Sequence, residues 1–320
     1  MLQTLISVPR PQALAEALAE HWDLPRPTAT LIKHSLALTY RIDTDRGAFA
    51  CRLSDGNLLD TQHQAKQLAQ AHADLVAAGA PLPPCESSRT TKLTATLDCP
   101  EGPRVAMLTH WIKGEPLSQH RTIDNAALFG HTLADFHAAS ATLATHTVQA
   151  FHHGLNVDRL ALACPGVDTH RLQSALDHAT RAADNQQQSI IHGDLDSSNA
   201  IITDSGIQLL DIECLAIGTP SLDLAAFTTE TRQWPWPSQE HVRDAFLTAY
   251  GCSLKTRSQN PETNGNTWPL LEAARLAQIL ARHLDLRERH GVDRLSPGFA
   301  HRLITRILVC SENDGIPVSR

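Results

Sequence analysis

No apolar run in the 320-residue chain approaches the length that crosses a bilayer. The sequence also lacks a CxxC pair and an HExxH pattern. Its seven cysteines are scattered and odd in number, which argues against a disulfide framework or a zinc knuckle and for a reducing compartment, the cytoplasm. A basic excess is missing too. Lys and Arg number 27 against 34 Asp and Glu, a formal charge of −7, which disfavours a general nucleic-acid binder and docking on an anionic membrane. The first residues carry no basic stretch, and Pro9 and Pro11 interrupt any apolar core, so they do not read as a signal peptide. Neither internal repeats nor low-complexity tracts occur. What remains is the composition of a soluble globular protein with ample core.

The pattern along the chain predicts an α+β protein of two lobes. A helix over residues 12–21 precedes short strands at 28–32, 38–42 and 48–53, joined by polar turns such as Asp45-Arg46-Gly47. An Ala/Gln-rich helix covers 61–78 and stops at Gly79, and two more strands follow at 92–97 and 104–109. After Gly114 the character turns helical. Asp124 is a candidate N-cap for a helix reaching Ser140, with Leu128, Leu133 and Phe136 on one face, and further helices are expected at 172–183, 238–250, 270–285 and 297–309. Residues 258–268 read as a polar loop. The expected organisation is a β-rich lobe over 1–109, a connector at 110–114 and a larger helical lobe over 115–320.

The chemistry concentrates in Ser189 to Phe227. A short apolar run delivers the polar loop His192-Gly193-Asp194-Leu195-Asp196-Ser197-Ser198-Asn199. A strand, the turn Asp204-Ser205-Gly206 and a return strand then bring Asp211 back toward Asn199. Asp194, Asn199 and Asp211 can thus converge. That set suits phosphoryl transfer: Mg²⁺ wants hard oxygen ligands, supplied by an amide oxygen and a carboxylate, and an attacking hydroxyl needs an acceptor that aims it.

HGDxxxxN followed by D-x-E resembles the aminoglycoside phosphotransferase and choline kinase superfamily, whose fold is protein-kinase-like. Asp194 and Asn199 have the separation found in protein-kinase catalytic loops. Gly218 to Ala225 matches the superfamily's G-x-P-x-x-D-L-A, Leu133 to His137 resembles its L-A-x-L-H helix, and His34-Ser35 through Ile42 resembles its nucleotide loop. The resemblance spans about residues 28 to 285. It implies ATP as phosphoryl donor and Mg²⁺ as cofactor, with Asp194 as catalytic base, Asn199 and Asp211 as metal ligands, and Asp223 bracing the catalytic loop. His192 and Glu213 would be supporting residues. Arg52, Ser35, Thr39, Thr109 and Trp111 would form the nucleotide-binding set, with backbone groups near 109–112 offered to adenine.

Departures are plain as well. Arg52 stands where a lysine is usual, no Glu occurs in the helix 61–78, the loop 34–39 has no glycine, and Asp196 adds a carboxylate to the catalytic loop. Asp196, Trp234 and Trp236 are candidates for contact with the acceptor, the tryptophans by stacking on a sugar or attracting an ammonium. The leading reading is a small-molecule kinase whose acceptor is aminoglycoside-like, an amino alcohol or a sugar. A protein Ser/Thr kinase, and a nucleotide-binding pseudokinase, are the alternatives. A metallohydrolase on His192, Asp194 and Asp196 is a third idea. Asp194→Asn is expected to abolish transfer and leave the melting temperature nearly unchanged.

Overall fold

The protein is described by a computed structural model over residues 8–34, 37–55, 59–99, 102–143, 148–233, 236–256, 268–290 and 297–312. The chain divides into two compact units. One is built from Ile6–Glu115 together with Ile201–Leu210, the other chiefly from Pro116–Ala200 and Asp211–Arg320.

In the N-terminal unit, α1 (Pro11–Trp22) starts on proline, whose fixed φ suits a first helical turn, and buries Leu14, Leu18 and Trp22 at four-residue spacing. It packs on a sheet of β1 (Thr28–His34), β2 (Leu38–Thr44), β3 (Gly47–Asp55), β4 (Cys85–Glu86), β5 (Thr94–Cys99) and β6 (Gly102–His110). The order is β1-β2-β3-β6-β4, with β5 also on β6, and every pairing is antiparallel. Period-two alternation turns Leu38, Tyr40 and Ile42 of β2, and Phe49, Cys51 and Leu53 of β3, into the α1 side of the core. The helix α2 (Leu59–Ala77) buries Ala69, Ala71, His72 and Leu75. The hairpin of β9 (Ala200–Thr203) and β10 (Gly206–Leu209) adds to the short β7 (Glu115–Pro116), and the Leu209 N–H donates to the Pro81 carbonyl at 2.8 Å.

The other unit is mainly helical. It contains α3 (Ile123–Ser140), α4 (Val157–Ala163), α5 (Thr169–Asp184), α6 (Pro220–Gln233), α7 (Gln239–Thr256), α8 (Trp268–His290) and α9 (Pro297–Glu312), plus a ribbon of β8 (Ser189–Ile191) and β11 (Ala216–Gly218). The cap of α3 is Thr122, not Asp124: its hydroxyl accepts the Asn125 N–H at 3.1 Å, and Asp124 instead places negative charge in the first turn. The backbones of α3 and α7 approach so closely that a Cβ on Gly130 would lie 2.3 Å from the Phe246 carbonyl oxygen. Phe129, Phe227 and Phe246 fill the space beside them, with ring centroids 5.2 and 4.3 Å apart along that chain of contacts. A second core joins α5, α8 and α9 through residues such as Leu172, Leu176, Leu276, Leu280 and Ile307. The seven-residue α4 was not anticipated, being too short to show a helical period; Asn156 caps it. The segment 258–267 lies outside the described residues. No helix among the described residues is long and apolar enough to cross a membrane.

Candidate active site

The loop after β8 is fixed before any ligand arrives. Gly193 has φ +75°, and a Cβ there would sit 2.0 Å from the Cys214 carbonyl oxygen, so only glycine fits. Asp223, in the first turn of α6, accepts the backbone N–H groups of His192 at 2.7 Å and Gly193 at 2.9 Å. It also takes Nε2–H of His137 at 3.0 Å, and His137 Nδ1 meets the Tyr250 hydroxyl at 3.0 Å. Burial opposes ionisation of Asp223, but the His137 hydrogen bond and charge, with the His192 contacts, outweigh it and lower its pKa.

Asp194 is buried, and both of its carboxylate oxygens are engaged. Arg275 Nη2 donates to Oδ1 at 2.8 Å, Arg282 Nη1 pairs with Oδ2, and Asn199 Nδ2 donates to Oδ2 at 3.2 Å and to the Asp194 carbonyl at 2.9 Å. Burial alone would raise the pKa of this carboxyl, but Arg275 and then Arg282 outweigh it and hold the value down at about 2. Gln278 ties the assembly to the loop, accepting from Arg275 Nη1 at 2.7 Å and donating to the Gly193 carbonyl at 2.6 Å. Arg275, Gln278 and Arg282 follow i, i+3, i+7 spacing on α8 and so share a face. Sequence reasoning missed them. The signal was available: Arg275, Gln278 and Arg282 recur at helical spacing among the Leu and Ala residues of this helix.

Asn199 donates its amide N–H groups to Asp194, which turns its amide oxygen the other way, as a hard donor. Asp211 follows β10 in left-handed backbone geometry, φ +60° and ψ +59°, and its charge reaches Arg282. These two oxygen donors fit a small hard cation. Among the described residues, no group of three or more His, Cys, Asp or Glu is placed to hold a metal ion. His192 is fully buried, and one Asp196 oxygen caps the turn Ser197–Asn199, accepting from Ser198 N at 2.7 Å and Asn199 N at 3.2 Å. The metallohydrolase triad is therefore not assembled. Glu213 lies in the turn Ile212–Cys214, half-buried.

Trp236 is a correction. It is buried rather than open to an acceptor, packed edge-on to Phe227 at 5.3 Å, with its indole N–H donated to Glu230 at 3.3 Å. Glu230 itself is turned inward, accepting the Ser197 N–H at 2.6 Å and the Ser197 hydroxyl, and burial raises its pKa. Trp234 and Ser35 lie outside the described residues.

The remaining candidates lie in the N-terminal unit. Arg52 on β3 sits in register with Thr39 on β2 and Met107 on β6. Its charge is felt by His72 of α2, whose pKa is lowered first by burial; His72 Nε2 meets the Pro83 carbonyl at 2.7 Å. Thr109 is buried in β6. Trp111 donates its N–H to Ala48 O at 3.0 Å, and the Arg41 guanidinium lies 5.0 Å over its ring. In the C-terminal unit, His152 and His153 stack at 4.7 Å and accept the N–H groups of Gly154 and Leu155 on Nδ1, a loop brace that places ring protons on Nε2.

Several known proteins are similar. An "uncharacterized protein" of Deinococcus radiodurans is 28% identical over 265 residues, covering 77% of this chain and 75% of the relative. Among solved structures, an amicoumacin kinase in complex with AMP-PNP and Ca²⁺ superposes with a TM-score of 0.73 at 12% identity over 93% of each chain. The microcompartment-associated aminopropanol kinase gives 0.69 at 16% identity over 96% of this chain and 100% of its own. A spectinomycin phosphotransferase in complex with ADP and spectinomycin gives 0.64 at 13% identity over 95% and 99%. At these identities the structures establish a shared two-lobed α+β kinase-like fold. The sequence profile of the phosphotransferase enzyme family (APH) matches residues 28–263, most of the chain, and the protein belongs to that family.

Proposed function

We propose that this phosphotransferase moves the γ-phosphoryl group of ATP, in a Mg²⁺-dependent reaction, to a hydroxyl of a small molecule. The observation that carries the reading is Asp194: a buried carboxylate kept ionised, its oxygens oriented by Arg275, Arg282 and Asn199. In this reading Asp194 accepts a hydrogen bond from the acceptor hydroxyl and aims its oxygen at the phosphorus. With a pKa near 2 the carboxylate is a weak base, which suits a loose transition state in which the proton leaves late. A new O–P bond forms as the bond to the departing ADP breaks, and the hydroxyl proton passes toward Asp194. Asp223 keeps the loop from shifting by holding the His192 and Gly193 amides. Asn199 Oδ1 and Asp211 would hold Mg²⁺, which when bound offsets phosphate charge. Arg52 supplies permanent positive charge for the nucleotide. Nucleotides in the amicoumacin kinase and spectinomycin phosphotransferase structures support ATP as donor.

The test is Mg²⁺-dependent ADP release with pooled acceptors, wild type beside Asp194→Asn. Acceptor-stimulated release lost in the variant is the expected result; retained turnover in Asp194→Asn overturns the assignment. One observation favours a second reading, nucleotide binding without turnover: both Asp194 oxygens are already engaged by arginines. Mg·ATP binding with no release from any pool would select it.

A further inference from the structure

We propose that the acceptor carries an oxyanion, a carboxylate or a phosphate group, which Arg282 binds while Arg275 keeps Asp194 in place. The inference rests on the kinase reading and names the acceptor class of that same site. It starts from an inventory of donors and acceptors. Oδ1 of Asp194 takes Arg275, and Oδ2 takes Arg282 and Asn199. A hydroxyl that bonds Asp194 at Oδ2 therefore competes with a guanidinium. The two arginines differ in freedom. Arg275 is 7% exposed, anchored by Gln278, and its buried Nε–H has no hydrogen-bond partner. Arg282 is 29% exposed, so it is the member that can leave Asp194 toward an incoming molecule.

Charge then discriminates among acceptors. Asp194 faces two permanent cations, and Asp211, whose charge also reaches Arg282, is the carboxylate that the kinase reading gives to Mg²⁺. An ammonium brought to Asp194 would sit beside both guanidiniums. A neutral alcohol that displaced Arg282 would offer it no charge in exchange for Asp194. An oxyanion exchanges one carboxylate partner for another, and the planar guanidinium fork matches carboxylate and phosphate geometry. The exchange frees Oδ2 for the hydroxyl. Two further acidic groups are partly or wholly engaged: Glu230 faces inward on Ser197, and one Asp196 oxygen caps the turn that follows it.

The experiment compares four sets of short compounds: hydroxycarboxylates including glycerate, phosphorylated polyols including glycerol 3-phosphate, neutral polyols including glycerol, and amino alcohols including ethanolamine. ADP release is measured with Mg·ATP, and thermal shift with Mg·AMP-PNP, which reads acceptor binding without turnover. Oxyanion acceptors are expected to exceed the neutral and cationic sets by at least about tenfold in kcat/KM and to give the larger shift. Whichever oxyanion set responds identifies carboxylate or phosphate. Arg282→Gln should raise KM for that acceptor about tenfold, with a smaller change in kcat, and Arg282→Lys should recover part of the loss. A preference for amino alcohols, parity with neutral polyols, or no response to either oxyanion set while AMP-PNP still binds overturns the proposal. Failure of wild type to bind nucleotide strikes the kinase reading itself, and the inference with it.

Discussion

The loop after β8 and the sheet around Arg52 solve opposite electrostatic problems. In the loop, buried carboxylates are the fixed charges, and cations or N–H groups surround them: Asp194 by two arginines, Asp223 by two amides and His137. In the sheet the fixed charge is a cation, and the nearby histidine that senses it, His72, is pushed toward its neutral form by burial and then by Arg52. The first region holds its carboxylates in place through these contacts. In the second, Arg52 puts a permanent cation on β3, which the proposed function assigns to the nucleotide. In phosphoryl transfer, rigidity matters most where a hydroxyl is aimed and positive charge where phosphate is held.

The largest expected effect breaks the balance in the loop. Asp194→Asn should lower transfer by about 10³-fold. The sequence-based expectation of an unchanged melting temperature needs revision. Two guanidiniums would face a neutral amide, so a destabilisation of about 3 kcal/mol is expected, readable by urea titration. Gly193→Ala should cost a similar amount, about 3 kcal/mol, because its Cβ meets the Cys214 carbonyl and φ is positive. A variant as stable as wild type would mean the loop adjusts and is not fixed in advance.

Acid titration sharpens the contrast further. Asp194 falls from an ordinary 3.8 to about 2, so it contributes about 2 kcal/mol above pH 4 that is lost between about pH 4 and pH 2; Asp223 acts in the same direction. Glu230 has the opposite sign. Its raised pKa makes the ionised form costly, so stability should rise slightly as pH falls through that pKa, before the acid loss begins. Glu230→Gln should erase the rise in a series of melting curves. The smallest effect belongs to the sheet. Arg52→Met should weaken nucleotide binding about tenfold by calorimetry, on the order of 1.4 kcal/mol, and change stability by less than about 1 kcal/mol. A large stability loss there would show that Arg52 is as structurally enclosed as Asp194.

Much of the fold was legible because local patterns agree with it. Alternation at Leu38, Tyr40 and Ile42 marks a half-buried strand, and the four-residue spacing of Leu14, Leu18 and Trp22 marks a helix face. The loop from His192 to Asn199 was legible because its chemistry lies within eight consecutive residues. What escaped depends on long sequence separation. Arg275 and Arg282 reach Asp194 from more than eighty residues away, and only folding brings α8 to the loop. Trp236 escaped for a different reason: an exposed stacking ring and a buried one look alike in sequence, and the Phe227 contact decides between them. The cap of α3 differed by two residues because Thr122 and Asp124 are both good cap types.

The hairpin Ile201–Leu210 groups with residues 6–115, yet its flanks, Ala200 and Asp211, belong to the other unit. The chain thus enters the first unit twice. No single cut yields both units whole: a truncation after Glu115 lacks the strands that follow Ala200, including the bond from Leu209 to Pro81. Genetic exchange faces the same obstacle, because one crossover cannot transplant either unit intact. Asn199 and Asp211 therefore travel together, at the two ends of one short hairpin.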